Sequence, residues 1–468
     1  MDMARQSTAR RNRTSPERKS EPKSLGKLEH YSVSGLFGTR DIDFALDERA
    51  PTLLTGVNGT GKSTVLRTID AISTGRWAAL FEIPFSLLTL RFSSGAVLKA
   101  EQTPDEFRLS LSDEEPWRFP RATASPELKI VLDHLMFDRG VDWVLQAKDR
   151  GRSPEHLLLQ YFIENSLLTA RDLDMEPGLR AIRNSLVHRL PHLEAVPDWI
   201  TTFSKRFPVL FVTDQRLVIE QRGSESSRRS EAVTTRVAAE EAARHIASEI
   251  EAAQAQYARQ SQSLDRTSPK RVIGAMSQPV QVGEEDLQTE LAELSQLRQS
   301  LQRSGLLPRD VTEEFEDLNL TAPHVRAYVA TYVGDMHRKL SVLEPLRRRL
   351  ALFTEFLSQH YRNKTVAVDQ QSGFLITVEE QDVPVAPARL SSGEQQILVL
   401  AHHILFRATP GTLVLIDEPE LSLHVVWQAT LVEDLTEMGK ERDLSFLLAT
   451  HSPTLLAGRE DLKRSLDG

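Results

Sequence analysis

Gly56-Val57-Asn58-Gly59-Thr60-Gly61-Lys62-Ser63 fits the pattern G-x-x-x-x-G-K-[ST] without a mismatch. Glycines in such a run let backbone N–H groups turn inward around phosphate oxygens. The lysine reaches the outer phosphates, and the serine hydroxyl is offered to Mg2+. Far downstream, the apolar run Leu413-Val414-Leu415-Ile416 ends in two carboxylates, Asp417 and Glu418. An acid in the place of Asp417 holds Mg2+ directly or through water, and Glu418 would polarise the water attacking a terminal phosphate. The two stretches together describe phosphoryl chemistry.

These residues need elements to position them. Pro51-Thr52-Leu53-Leu54-Thr55 reads as a short apolar strand running into the glycine-rich loop, with a helix expected from about Lys62. Tyr31, Val33, Ile42, Phe44 and Leu46 alternate with polar partners, as do Leu88, Leu90 and Phe92, and both stretches predict strands. Phe207 to Val212 is a buried-strand candidate. Residues 223–230, made of Gly, Ser, Glu and Arg, read as a flexible linker. Beyond it, Ile246, Ile250, Ala253 and Tyr257 fall at helical spacing, and Leu287, Leu291, Leu294 and Leu301 mark a second helix after a break from Pro269 to Gly283. The pair suggests an antiparallel hairpin whose first helix would run some 30 residues, roughly 50 Å at 1.5 Å per residue. Its Ala-rich, polar faces bury little on their own, so residues 231–303 are expected to need an external surface. A third helical stretch covers about 326–360, followed by a hairpin near Gly373.

Composition narrows the chemistry. The 468 residues contain no cysteine, which removes disulfides, thiolate metal sites and a cysteine nucleophile from consideration. No apolar run approaches the roughly 20 residues of a membrane helix, and the first residues show no signal sequence. A cytoplasmic protein is expected. Residues 1–27 carry a net +5, so against −9 overall the remainder carries −14. A body that acidic argues against sequence-blind duplex binding, which needs many phosphate-neutralising cations. The basic start reads as a disordered tail. His402-His403 point in different directions on a helix and make a poor metal pair. Arg347-Arg348-Arg349 reads as a solvated helix face.

Further motifs carry a family resemblance. Leu390-Ser391-Ser392-Gly393-Glu394-Gln395-Gln396 resembles the ABC signature. Glu418-Pro419-Glu420-Leu421-Ser422-Leu423-His424 resembles the extended acidic strand end and D-loop of SMC-like, RecF-like and OLD-like ATPases, and Ala449-Thr450-His451-Ser452-Pro453 resembles their switch-histidine segment. The resemblance implies an α/β fold, an ABC-type P-loop ATPase head with a mixed sheet and a helical, hairpin-like insertion. It implies ATP and Mg2+ as ligands. Nucleotide contacts would come from Asn58, Gly59, Gly61, Lys62, Ser63, Thr64 and Gln215, and metal contacts from Ser63, Asp417 and Gln215. Glu418 and His451 would be the catalytic pair. Ser392, Gly393 and Glu394 would meet the nucleotide of a second copy in an ATP sandwich. Gln102 competes with Gln215 for the Q-loop position, and the adenine-stacking residue stays open between Phe37 and Arg40.

The same resemblance divides the chain into a tail (1–27), an N-terminal ATPase lobe with a helical insert (28–222), a helical insertion (223–325) and a C-terminal lobe with signature, acidic strand end and switch histidine (326–468). With 17 residues after His451, a nuclease domain of the OLD type is not expected behind the head. The output would lie in another polypeptide or in DNA. Similarity to stand-alone ATPase subunits of bacterial anti-phage systems (Septu, PARIS, retron-associated) implies a sensor or scaffold controlling a separate effector, a nuclease. The competing class is a RecF-like DNA repair or recombination ATPase. DNA as a partner stays open, a membrane is not expected, and a higher homo-oligomer is compatible with the insertion.

Overall fold

The computed structural model describes residues 24–76, 79–80, 83–104, 106–112, 114–120, 197–212, 231–277, 282–308, 320–380, 383–421 and 423–467. Packing begins at Leu25, ahead of the expected start at Leu28. Leu25 is buried and its N–H donates to Arg206 O, while Lys27 pairs with Asp443 at 2.8 Å.

The alternating segments form one antiparallel sheet. Its strands are β1 (Leu28–Leu36), β2 (Arg40–Ala45), β4 (Leu87–Phe92), β5 (Val97–Gln102), β6 (Glu106–Leu111) and β7 (Trp117–Pro120), in the order β2-β1-β4-β5-β6-β7. Because side chains alternate across a strand, Tyr31, Val33, Leu88, Leu90, Leu98, Phe107 and Leu109 all enter one core. That core also takes Val65, Leu66, Ile69 and Ile72 of α1 (Lys62–Ser73), and Tyr31 Oη meets Thr68 Oγ1 of this helix at 3.0 Å.

The apolar runs form a second sheet, parallel throughout, in the order β14 (Lys463–Ser465), β3 (Thr52–Thr55), β13 (Ser445–Ala449), β12 (Leu413–Asp417), β8 (Val209–Val212). A parallel sheet covered on both faces reads as a continuous apolar run, and the period of two divides it. Leu54, Leu413, Leu415 and Leu447 join the core around α1, whereas Leu53, Val414, Ile416 and Leu448 join a second core on the other face.

That second core is mostly helical. It is built from α3 (Glu231–Met276), α4 (Glu284–Arg303), α5 (Pro323–Leu340), α6 (Glu344–His360), α7 (Ser392–His402), α8 (Val425–Arg442) and the short α9 (Pro453–Leu456), whereas α2 (Asp198–Arg206) packs in the core around α1. A three-stranded antiparallel sheet, β9 (Lys364–Asp369), β10 (Gly373–Val378) and β11 (Val383–Pro384), stands just before α7.

The helical segment differs from its expectation in three ways. First, α3 is 46 residues long and runs through Pro269, about 69 Å at 1.5 Å per residue. Proline removes the backbone donor that Asp265 O would otherwise meet, and in the same stretch Thr267 Oγ1 and Arg271 Nη2 donate to Leu264 O at 3.2 and 2.9 Å. Second, α3 and α4 each pack on α5, with Lys339 Nζ of α5 reaching Asp265 Oδ1 of α3 at 2.6 Å. The expected two-helix hairpin is therefore a three-helix arrangement. Third, the first half of α3 does not await an outside surface. Ala238, Ala239, Ala242, Ile246 and Ile250 are buried in the helical core, and a Cβ on Gly373 of the β9–β10 turn would lie 2.3 Å from Ala243 O. Small residues let the helix backbone and the turn touch. The core is continuous across residue 325, so that position is no boundary in the packing.

Candidate nucleotide site

The strands of the parallel sheet deliver the expected residues to one edge. At the carboxyl ends of β3, β13 and β12 stand the glycine-rich loop, Thr450-His451 and Asp417-Glu418, the edge at which open α/β sheets bind ligands.

The loop from Gly56 to Gly61 is built on positive φ at Gly56 (153°), Gly59 (83°) and Gly61 (101°). At Gly61 the need is doubled, since a Cβ would lie 3.1 Å from Leu36 Cδ2. Gly61 is the N-cap of α1 and offers no side-chain acceptor, and the first turn holds no acid. The leading N–H groups of α1 thus face the loop as an uncapped anion site. Asn58 and Gly59 are exposed on the loop, Lys62 is buried, and Ser63 and Thr64 are half-buried.

Lys62 Nζ donates to Gly56 O at 2.8 Å and Val57 O at 3.3 Å. Burial lowers its pKa, opposed by the charges of Asp467, Glu418, Asp417 and Glu420. An ammonium folded onto loop carbonyls, ringed by acids, fits a group that turns outward to an anion. Ser63 Oγ donates to Asp417 Oδ1 at 3.0 Å, so the hydroxyl and the carboxylate expected to share Mg2+ already touch. Glu418 adopts φ +47°, a left-handed conformation unusual for glutamate, and its N–H donates to Ala449 O at 2.9 Å. That strain sits where the acid must leave the strand direction.

The signature segment opens α7. Ser391 caps the helix in a capping box with Glu394, Ser392 is exposed and Gly393 is buried. Glu394, expected among the nucleotide contacts, is occupied otherwise: its carboxylate accepts from Ser391 N at 2.9 Å and Lys364 Nζ at 2.6 Å. Burial raises its pKa, but these bonds outweigh it and hold the carboxyl below its ordinary value. Glu394 shapes the helix start that presents Ser392.

Gln102 binds backbone within its own lobe, its Nε2 donating to Leu80 O at 2.7 Å and Ile83 O at 3.2 Å. Gln215 lies outside the described residues, as do 223–230. The strand before Gln215 is β8, whose Val212 pairs with Ile416 next to Asp417. Phe37 is 49% exposed at the turn after β1, directly following Leu36, whose Cδ2 would lie 3.1 Å from a Cβ on Gly61. Arg40 is half-buried at the start of β2.

His402 meets His245 of α3 at 3.0 Å, a partner that spacing could not reveal. Arg347 and Arg348 pair with Glu344, and Arg349 reaches Glu249 of α3. Two more acids have partners that the local sequence does not reveal. Asp467 Oδ1 accepts from Val57 N at 2.8 Å across 410 positions, with no local signal. Glu420 lay within the acidic motif, but its bonds to Thr450 and His451 are long-range.

Residues 286–457 match the family model described as "AAA domain, putative AbiEii toxin, Type IV TA system". The chain is 28% identical over 186 residues to the dipeptide transport ATP-binding protein DppD of Haemophilus influenzae, covering 40% of this chain and 50% of that one. It thus spans about half the length of that curated relative. The fold is α/β, that of a P-loop ATPase. Among solved structures, an Smc head domain with an extended coiled coil from Pyrococcus furiosus, bound to the C-terminal domain of ScpA, aligns over 92% of this chain and 91% of its own, at 12% identity and a TM-score of 0.33. An Smc head from Pyrococcus yayanosii aligns over 92% and 93%, at 14% identity and 0.30. Among the described residues, no helix is long and apolar enough to cross a membrane.

Proposed function

We propose that this chain binds and hydrolyses ATP with Mg2+ and uses the cycle to control its own association. The Ser63–Asp417 bond carries the reading, because it joins the two metal-holding groups of a P-loop site across the sheet. The uncapped start of α1 and Lys62 would hold the phosphates, and Ser63 and Asp417 the metal. Bound Mg2+ would neutralise charge on the outer phosphates. Glu418 would orient and deprotonate the attacking water, and His451 would sense the terminal phosphate. Gln215 would complete the metal shell. Phe37, exposed beside the loop, would support the base.

The placement of α7 favours a two-copy site. α1 and α7 contribute to cores on opposite faces of the parallel sheet, so the helix that carries Ser392 is packed apart from the helix that carries Lys62. A second copy would supply Ser392 and Gly393 to the phosphates held by the first. A phosphate-release assay together with a sizing column tests both parts. Glu418→Gln should bind ATP, lose turnover by about 10²-fold, as when a positioned general base is removed, and associate when ATP is present. Turnover at the parental rate would reject the mechanism.

At the level of biology, the proposed role is a sensor or scaffold in anti-phage defence, controlling a separate nuclease effector. The support is the toxin–antitoxin description of the matching family model, together with the acidic body, which disfavours a DNA clamp. Phage challenge of cells carrying the gene with its neighbours, comparing the parent with Lys62→Ala, tests it. Equal survival would reject the role.

A further inference from the structure

We infer that Glu420 is the positioning residue for His451, holding the switch segment in register with Glu418. The inference rests on the proposed ATPase reading for its catalytic consequence, but not for the tether itself. Glu420 Oε1 accepts two bonds from the segment after β13, from Thr450 Oγ1 at 2.9 Å and from His451 N at 2.7 Å. Both are charge-assisted, the stronger class of hydrogen bond. The main chain of His451 is therefore fixed by a side chain from the segment after β12, while its own side chain stays at the surface.

The tether is part of a closed circuit. Thr450 Oγ1, fully buried, also accepts from Ser452 N at 3.0 Å. Ser452 Oγ donates to Gln428 Oε1 at 2.8 Å. Gln428 Nε2 returns to the first segment, donating to Leu423 O at 3.1 Å and Glu420 O at 3.3 Å. Two side chains, Glu420 of the acidic loop and Gln428 of α8, thus span the gap between the two segments. Glu418 N reaches Ala449 O in the same gap. A displacement of either segment is carried to the other, so His451 cannot shift relative to Glu418 while the Glu420 bonds persist.

The chemistry at Glu420 separates variants. Oε1 makes both bonds, while Oε2 is buried without a hydrogen-bond partner among the described residues. A glutamine can keep the acceptor and lose only the charge, whereas alanine removes the tether.

Amide exchange of the full-length, nucleotide-free protein reads the tether directly. In Glu420→Ala, a peptide covering Thr450 to Ser452 should exchange at least about tenfold faster, as expected for loss of a charge-assisted bond, and in Glu420→Gln the increase should be clearly smaller, because the acceptor stays and only the charge is lost. ATP turnover reads the consequence. Glu420→Ala should lower kcat about tenfold with KM within about twofold, and Glu420→Gln should restore at least about half the rate. The double variant Glu420→Ala/His451→Ala should be no slower than His451→Ala alone, because the two act as one unit. Unchanged exchange in Glu420→Ala, or a loss that adds to that of His451→Ala, would overturn the inference. A parent without ATP turnover would instead reject the proposed function, and the exchange result would still decide the tether.

Discussion

Ser63 Oγ donates to Asp417 Oδ1 at 3.0 Å, although 354 positions separate them. One sits on the first turn of α1 and the other at the end of β12, with β13 lying between β3 and β12 in the sheet. The bond spans that intervening strand and fixes where a cation would sit.

Its removal should act on metal dependence first. Ser63→Ala should weaken ATP binding in the presence of Mg2+ while leaving binding in EDTA unchanged. A Mg2+ titration of fluorescent-ATP binding checks this. An equal loss with and without metal would mean that Ser63 serves the phosphates alone.

Asp467 should oppose nucleotide. Its carboxylate leads the acids that hold Lys62 charged, and it accepts from Val57 N. Asp467→Asn keeps an acceptor for that N–H and removes the charge. ATP should bind several-fold more tightly at low salt, an order-of-magnitude expectation for one charge near a multivalent anion, and the gain should shrink as salt screens it. Calorimetry at two ionic strengths decides the matter.

Acid should destabilise the α3–α7 contact. Burial pushes His402 down to about 2 and His403 to about 4, with neighbouring positive charge adding to both, and burial lowers His245 too. Below the ordinary histidine value of 6.5 the unfolded chain binds protons that the folded chain refuses. Stability should therefore fall as pH drops from about 6.5 toward 4, by up to about 1.4 kcal/mol per pH unit for each group, and these groups add no slope above 6.5. Urea midpoints at pH 7.5 and 5.0 measure the slope, and His402→Gln should flatten it.

Gly373→Ala should be among the most damaging single-methyl changes. The residue has φ +83°, and its added Cβ would meet Ala243 O at 2.3 Å, with backbone on both sides of the contact. A cost of about 2–4 kcal/mol in unfolding free energy is expected, combining strain with overpacking. Thermal unfolding compared with Gly38→Ala, another positive-φ glycine but with open space around it, isolates the contact.

The readable parts of the sequence were those whose physics is local. The glycine-rich loop needs its glycines in a row, and Leu413 to Ile416 is apolar because both faces of β12 are covered. Residues whose partners are remote were not readable. Glu394 lies in a nucleotide-contacting motif, yet Lys364 and the helix cap claim its carboxylate. Pro269 looked like a helix break, but α3 continues through it. Ala238, Ala239 and Ala242 lie in the Ala-rich segment expected to need an external surface, because alanine fits both settings, yet they are buried within the chain's own core beside the close approach of Gly373 to Ala243.

The position of β3 has a consequence for biosynthesis. This strand is flanked by β13 and β14, and Thr55 Oγ1 reaches Arg464 O across 409 positions. On the ribosome, β3 emerges with both edges bare and keeps them so until nearly all of the chain described here has been made. Contacts of such range slow folding and lengthen exposure to wrong pairing. The glycine-rich loop inherits that delay, since the strand that aims it closes last. A nascent chain arrested before β13 should therefore be bound by chaperones and bind no ATP, whereas release of the full chain should bring both sheet edges and the phosphate loop into being in a single late event.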